Sequence, residues 1–163
     1  LDMNLVYDVA HNIAKVEKHK VDGEERNLVV HRKGATRAFP SNRAEIPSKY
    51  RDLGQPVLVP GSMGTSSWIL LGKSNSMDLS FGSTAHGAGR TMSRSKARRN
   101  FTEDNVKKSL NDKGIFIKAL TRDGVVEETP EAYKDVDSVV NVSHNLGIAT
   151  KVAKLVPIGV IKG

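Results

Sequence analysis

The segment VLVPGSMGTSSWILLG, residues 57–72, holds two short apolar runs on either side of a Pro-Gly-Ser-Met-Gly break. Short runs rich in Val, Ile and Leu that are bounded by Gly and Pro are typical of β-strands. Gly61 and Gly64 give the break a backbone freedom that other residues lack. The segment therefore predicts two strands joined by a tight, small-residue turn.

Patterns of both strand and helix type extend outward from this segment. Further strands are predicted in LVVHRK (28–33), GIFIKAL (114–120), VVEE (125–128) and the closing KVAKLVPIGVIKG (151–163). A helix is predicted in NLVYDVAHNIAKVEKHK (4–20), where the apolar residues Leu5, Val6, Val9, Ile13 and Val16 recur with helical period. Further helices are predicted from Ser93 to about Asn111, with a cap at Thr102, and over 131–146. The stretch between 34 and 56 is predicted to be loop. Because no regular βαβ rhythm appears, we predict an α+β fold of mixed short strands in sheets wrapped by helices.

Length and composition limit the class of protein. The chain has 163 residues and no cysteine, which predicts one domain over 1–163 and excludes a thiolate metal site in this chain. No run is apolar enough for a membrane span, and the first residues lack a signal pattern, so we expect no membrane partner and a cytoplasmic location. A net charge of +7 favours a polyanionic partner, with nucleic acid first, although a solvated basic surface is the alternative.

Two glycine-rich loops are candidates for binding phosphate. PGSMGTSS (60–67) combines exposed backbone N–H groups with hydroxyl side chains, a combination that can form an anion-binding nest, although a plain tight turn is the alternative. FGSTAHGAGRTMSRS (81–95) places His86 among small residues, where a large ligand can approach the imidazole. Arg90 and Arg94 follow one helical turn apart and can face the same phosphates. An ordinary loop histidine is the alternative for His86.

The remaining histidines differ in their surroundings. His11 lies in the predicted first helix with Asp8 three residues earlier, which suits a metal ligand with an orienting carboxylate or, alternatively, a structural histidine. His19 and His144 are predicted to lie on the surface. The segment HRKGATR (31–37) gathers basic residues around a glycine and is another candidate contact for a polyanion.

Five motifs together carry a family resemblance: YDVAHNIAK, HRKGATRAFP, PGSMGT, FGSTAHGAGRTMSRS and PIGVIKG. In order and spacing they resemble the C-terminal part of the RtcB family of RNA ligases along essentially the whole chain. The resemblance implies an RtcB-like fold and an enzyme that depends on GTP and Mn²⁺. Such an enzyme joins RNA ending in a 2′,3′-cyclic phosphate or 3′-phosphate to RNA with a 5′-hydroxyl, as in tRNA splicing and RNA repair.

The resemblance also implies roles for individual residues. His86 matches the nucleophile that forms a histidine–GMP intermediate, and Arg90 and Lys33 match basic residues that handle phosphate. His11 matches a manganese ligand. The implied cofactor-binding residues are His11, Asn12, Pro60, Gly61, Ser62, Met63, Ser67, His86, Gly87, Ala88, Gly89, Tyr133 and Lys162.

The chain departs from the family pattern in one respect. The family's other metal ligands, an aspartate, a cysteine and two more histidines, belong to an N-terminal half that this sequence does not contain. We therefore expect a C-terminal portion that needs the missing half as a partner and has no ligase activity alone. Two alternatives stay open: a non-catalytic RNA- or nucleotide-binding module derived from the ligase, and a histidine-dependent phosphotransferase of another class.

Overall fold

The structure, a computed structural model, describes residues 2–162. Its strands are β1 (Asn12–Val21), β2 (Glu24–Lys33), β3 (Ala35–Arg37), β4 (Pro56–Val59), β5 (Ser67–Gly72), β6 (Ser83–Ala85), β7 (Phe116–Ala119), β8 (Ala149–Leu155) and β9 (Gly159–Lys162). Its helices are α1 (Asn75–Ser80), α2 (Arg94–Asn100), α3 (Glu103–Asp112), α4 (Arg122–Val126) and α5 (Val136–Asn145), with 3-10 turns at Ser48–Tyr50 and Pro130–Ala132. Helices and short strands are interspersed in small sheets, which confirms the α+β class.

The first two strands form a long antiparallel hairpin. Asn12 pairs with Lys33 at its base, and Asp22 and Gly23 turn the chain at its tip with φ of 53° and 85°. Positive φ at both turn positions matches the twist of a hairpin and favours an Asp-Gly pair. The predicted strand at 28–33 is confirmed as the second half of β2.

The helix predicted over 4–20 is wrong. Residues 2–11 form neither helix nor strand, and β1 begins at Asn12. Leu5 and Val6 are exposed, so the first apolar residues of the helical pattern do not pack on the part of the chain that the structure describes. The Asp22–Gly23 turn instead places the β-branched residues of 13–21 opposite β2, where strand pairing is favourable.

The predicted pair of strands around the glycine-rich break is confirmed. β4 and β5 pair antiparallel, and β8 pairs with the other edge of β5. One face of this sheet packs on α5, and the shared core consists of Ala38, Val57, Val59, Leu70, Ala88, Val136, Val140 and Ala149. A separate ladder joins β3 to β6, which brings the residues before His86 beside the end of the hairpin.

A second core lies among α3, α4 and β7, and it contains Met63, Val106, Leu110, Ile115 and Val125. The single helix predicted from Ser93 to Asn111 is two helices, and the predicted cap at Thr102 opens the second by accepting a hydrogen bond from the Asn105 N–H. The strand predicted at 125–128 is wrong. Val125 and Val126 belong to α4, because Thr121 caps a helix there and the two adjacent valines are both buried rather than alternating. Glu127 and Glu128 lie in the turn that follows.

The predicted closing strand is two strands. Pro157 lies in the break, and β9 turns away from β8 to pair in parallel with β7. The predicted strand in GIFIKAL is confirmed as β7. Within residues 2–162, no helix combines the length and apolar content needed to cross a membrane.

A buried charged cluster fastens the hairpin to the rest of the fold. Arg32, 2% exposed, donates to both carboxylate oxygens of Glu17 at 2.7 and 2.8 Å and to the Phe81 carbonyl at 2.9 Å. The His19 ring lies 3.1 Å from the same carboxylate and is also buried, so its predicted surface position is wrong. Because inward-facing residues of β1 alternate, His19 shares the face of Glu17 and turns toward Phe81.

Candidate nucleotide and histidine site

The two glycine-rich loops meet at the boundary between the two cores. The Pro60 turn (residues 60–66) joins β4 to β5, and the His86 loop (residues 86–89) follows β6. The Ala88 N–H donates to the Pro60 carbonyl at 2.9 Å, and a Cβ on Gly87 would lie 3.2 Å from that same oxygen. Met63 and Ala88 are buried in different cores and anchor the loops. The fold therefore holds the predicted nucleophile loop against the predicted nucleotide loop.

A cleft of about 180 Å³ opens beside this junction. Its lining residues are Pro60, Gly61, Ser62, Met63, Ser67, Glu128, Tyr133 and Lys162. All of them except Glu128 are residues that the sequence predicts for nucleotide binding. Residues from 60 to 162 thus converge on one small cavity, and the Ala88–Pro60 hydrogen bond links its Pro60 wall to the His86 loop.

Glu128 connects the cleft to Arg90 and Arg94. Its carboxylate accepts hydrogen bonds from the Tyr133 hydroxyl and, at 3.4 Å each, from Arg90 Nη1 and Arg94 Nε. Burial opposes ionisation, but the Tyr133 hydrogen bond and the positive charges of Lys162 and Arg90 together hold the Glu128 pKa below its usual value. Burial and the Glu128 carboxylate raise the Tyr133 pKa. At neutral pH the Glu128 side chain is therefore a carboxylate and the Tyr133 side chain a neutral phenol.

Arg90 is held by the protein on all sides. Its guanidinium donates to the Met92 and Glu127 carbonyls at 3.0 and 2.6 Å and to the Tyr133 hydroxyl at 3.1 Å, and it lies over the Tyr133 ring at 4.9 Å. Arg90 and Arg94 do converge, as their spacing predicts, but on Glu128. A phosphate contact for Arg90 stays a prediction, and in this structure its guanidinium orders Tyr133.

The hydroxyl groups of the Pro60 turn close the turn on itself. The Gly61 N–H donates to Ser67 Oγ at 3.2 Å, and the Ser62 N–H donates to Thr65 Oγ1 at 2.7 Å. Ser62 Oγ and Thr65 Oγ1 lie 2.9 Å apart. These N–H groups, which the sequence offers as an anion nest, are therefore occupied by internal partners, and the turn is rigid.

His86 and His11 form a stacked pair. Their ring centroids are 4.6 Å apart and the rings are 7° from parallel. Gly34 lies against the pair, since a Cβ there would be 3.7 Å from His86 Nε2, and its φ of 70° is a conformation that favours glycine. Burial, and then the nearby His11, lower the His86 pKa. The His86 ring is therefore neutral at pH 7, the state in which a ring nitrogen can act as a nucleophile.

His11 is not on a helix, so the predicted pairing with Asp8 on one helix face is wrong. It lies at the end of an extended segment, directly before β1. The next residue, Asn12, accepts a hydrogen bond from Lys33 Nζ at 3.3 Å across the base of the hairpin. Lys33 is exposed, and its ammonium lies on the hairpin end that carries His11.

Residues 2–162 contain no group of three or more His, Cys, Asp or Glu side chains placed to hold a metal ion. His11 can supply one imidazole, but one donor does not make a site for a hard ion such as Mn²⁺, which takes several N and O ligands. The described residues therefore do not form the implied manganese site by themselves.

Glu128 belongs to none of the sequence motifs that predict the site. The only local signal for it is a pair of adjacent acids, Glu127 and Glu128, in a strongly basic chain. Its partners lie up to 38 residues away along the chain, at Arg90, so no short motif includes them.

The sequence matches known proteins along its whole length. Residues 1–163 match the RtcB family, described as "tRNA-splicing ligase RtcB". Over its whole length the chain is 57% identical to the tRNA-splicing ligase RtcB of Aeropyrum pernix and 56% identical to that of Archaeoglobus fulgidus, and it covers 34% of each. It is 55% identical to that of Pyrococcus abyssi and covers 18% of it. The chain thus spans about a third or less of the length of these relatives. Because the family match extends over residues 1–163 and these relatives are more than half identical to the chain, the chain belongs to the RtcB family.

Proposed function

We propose that this chain forms the guanylate-binding and nucleophilic part of a GTP- and Mn²⁺-dependent RNA ligase. The ligase joins RNA ends that carry a 2′,3′-cyclic phosphate or 3′-phosphate to ends that carry a 5′-hydroxyl, in tRNA splicing and RNA repair. The observation that carries the proposal is the packing of the His86 loop on the Pro60 turn beside the Tyr133–Lys162 cleft. We use "complete ligase" for this chain together with the portion that its relatives carry beyond it.

The cleft and His86 have separate roles, in binding the nucleotide and in its transfer. The cleft residues bind guanosine, with the Tyr133 ring as an aromatic face and the Lys162 ammonium as a donor for oxygen or nitrogen acceptors of the base. The neutral His86 ring attacks the α-phosphorus of GTP, a histidine–GMP bond forms, and pyrophosphate leaves. GMP then passes to the RNA 3′-phosphate, and the 5′-hydroxyl displaces it as the new phosphodiester forms.

Basic side chains contribute to binding the phosphates. Lys33, at the base of the hairpin, offers an exposed ammonium, and Arg90 lies next to the His86 loop. Contacts of this kind bind RNA without reading its bases. His11 supplies one ligand to Mn²⁺, which when bound neutralises phosphate charge, and the other ligands come from outside residues 2–162.

The proposal is tested by RNA joining. Mixed with GTP, Mn²⁺ and an RNA pair with 3′-phosphate and 5′-hydroxyl ends, the complete ligase is expected to join the pair. The 163-residue chain alone is expected to give no product, because it lacks a full metal site among residues 2–162. Joining by the chain alone would contradict this placement of the metal. RNA binding without GMP transfer in the complete ligase would favour the non-catalytic module.

Gly61→Ala is expected to weaken GTP binding by the complete ligase roughly tenfold or more, which corresponds to about 1.4 kcal/mol. A Cβ at this position would lie 2.1 Å from the Ser66 carbonyl oxygen, so the backbone of the Pro60 turn must shift and deform the cleft. The measurement is the Kd for GTP by calorimetry.

Gly159→Ala is the matched control for this variant. A Cβ on Gly159, in β9, would have ordinary contact with the Phe116 carbonyl at 3.6 Å and would not touch the turn. Equal Kd values for Gly61→Ala and the unmodified protein would show that the Pro60 turn does not form the GTP site.

A further inference from the structure

Thr36 lies between the two elements that carry the stacked histidines. It is the middle residue of β3, only 2% exposed, and it pairs with Thr84 of β6, two residues before His86. The Thr36 hydroxyl donates to the carbonyl of Ala10, the residue directly before His11, at 3.1 Å. One residue thus contacts the strand of the nucleophile through its backbone and the segment of His11 through its side chain.

The His11 segment has little other support. Because residues 2–11 form neither helix nor strand, no regular backbone ladder holds His11 in place. The Gly34 N–H donates to the His11 carbonyl at 3.2 Å, so Gly34 and Thr36 bind two successive carbonyls from one short stretch. The other hydrogen bonds to this segment lie farther from His11: Gln55 Nε2 donates to the Tyr7 hydroxyl at 3.1 Å, and the Tyr50 hydroxyl donates to the Val6 carbonyl at 2.5 Å.

The ring stack depends on this attachment. The β3–β6 ladder and the Ala88–Pro60 hydrogen bond hold the loop of His86. The hydrogen bonds from Gly34 and Thr36 hold the His11 segment beside that loop. A functional side chain keeps its productive geometry through hydrogen bonds that surrounding residues make around it. We propose that Thr36 is a positioning residue, whose hydroxyl sets the His11 ring against His86 for the guanylylation step.

This inference rests on the proposed function for its catalytic consequence but not for its structural one. Thr36→Val keeps the shape of the buried side chain and removes the donor. The Ala10 carbonyl can then turn to water, and His11 moves away from His86. Thr36→Ser keeps the donor and is expected to behave like the unmodified protein.

Thr84→Val is the matched control. It makes the same change in the cross-strand partner of Thr36, but the Thr84 hydroxyl bonds Ser143 of α5 at 2.9 Å and not the His11 segment. General loosening of the β3–β6 ladder would affect both valine variants, whereas loss of the Ala10 contact affects only Thr36→Val.

The test compares these variants in the complete ligase with labelled histidine. Nuclear Overhauser contacts between the His11 and His86 rings are expected in the unmodified protein, Thr36→Ser and Thr84→Val, and they are expected to disappear in Thr36→Val. The rate of GMP labelling at saturating GTP is expected to fall about tenfold or more in Thr36→Val alone. Ring contacts or labelling that survive in Thr36→Val, or equal losses in both valine variants, would overturn the proposal.

If the unmodified ligase forms no GMP adduct, the proposed function fails, and the ring contacts alone decide the role of Thr36. Their selective loss in Thr36→Val would then support the positioning of His11 by Thr36, and their persistence would overturn it.

Discussion

His86→Ala is expected to reduce covalent labelling of the complete ligase by GTP to background. Alanine removes the ring nitrogen that accepts GMP, and no other imidazole in residues 2–162 takes its place between the Pro60 turn and Gly34. The stacked His11 is the nearest ring. Gly34 and Thr36 bind the His11 and Ala10 carbonyls and hold that ring on the side of the hairpin. The measurement is retention of radioactive GMP on the denatured protein.

His144→Ala is the control for this variant. His144 lies exposed in the last turn of α5, far along the chain from both glycine-rich loops, and full labelling is expected. Undiminished labelling of His86→Ala would remove His86 from the nucleophile's role.

Glu17→Ala is expected to lower the free energy of unfolding of the chain by about 3–5 kcal/mol. The substitution leaves the Arg32 guanidinium buried without its carboxylate, although the Phe81 carbonyl and Ser83 hydroxyl still accept from it. An unpaired buried charge costs far more than the net value of the ion pair it belonged to. Urea unfolding followed by circular dichroism measures the change.

The exposed pair at the tip of the same hairpin supplies the comparison. Glu24 and Arg26 are 73% and 52% exposed in their side chains, so Glu24→Ala is expected to change stability by about 0.5 kcal/mol or less. Similar losses for the two variants would show that the buried cluster does not hold the hairpin to the fold.

The pH dependence of the buried pair has a definite sign. Burial raises the Glu17 pKa, but hydrogen bonds from Arg32 and His19 and the charge of Arg32 outweigh burial and lower it below 4.5. A lowered folded pKa stabilises the fold above the unfolded value and loses that stabilisation as pH falls through the folded value. The difference in stability between the unmodified chain and Glu17→Ala is therefore expected to shrink below pH 4.5.

Local features of the sequence predict local structure well here. The β4–turn–β5 unit and the Thr102 cap follow from residues within a few positions of each other, and the structure confirms both. The failures come from competition that the local pattern does not reveal. Leu5 and Val6 have helical spacing, but they are exposed and do not pack on residues 2–162. The Asp22–Gly23 turn places the residues from Asn12 to Val21 in a hairpin instead.

The candidate site is predicted in part for the same reason. Small-residue loops and His86 are visible as motifs, and the motif set as a whole identifies the family. Their partners Glu128 and Thr36 are not visible as motifs. Glu128 contacts Arg90 across 38 residues of chain, and Thr36 contacts Ala10 across 26. A threonine in a three-residue strand carries no signal until the strand's neighbours are known.

The central claim is that His86 is the residue that accepts GMP. Its most direct test is mass spectrometry of the complete ligase after incubation with GTP and Mn²⁺, with the adduct mapped by fragmentation under conditions that preserve a phosphorus–nitrogen bond. We predict the mass of GMP on the imidazole of His86 and on no other residue of this chain. An adduct on a different residue, or RNA joining with no protein-bound GMP at any time, would contradict it.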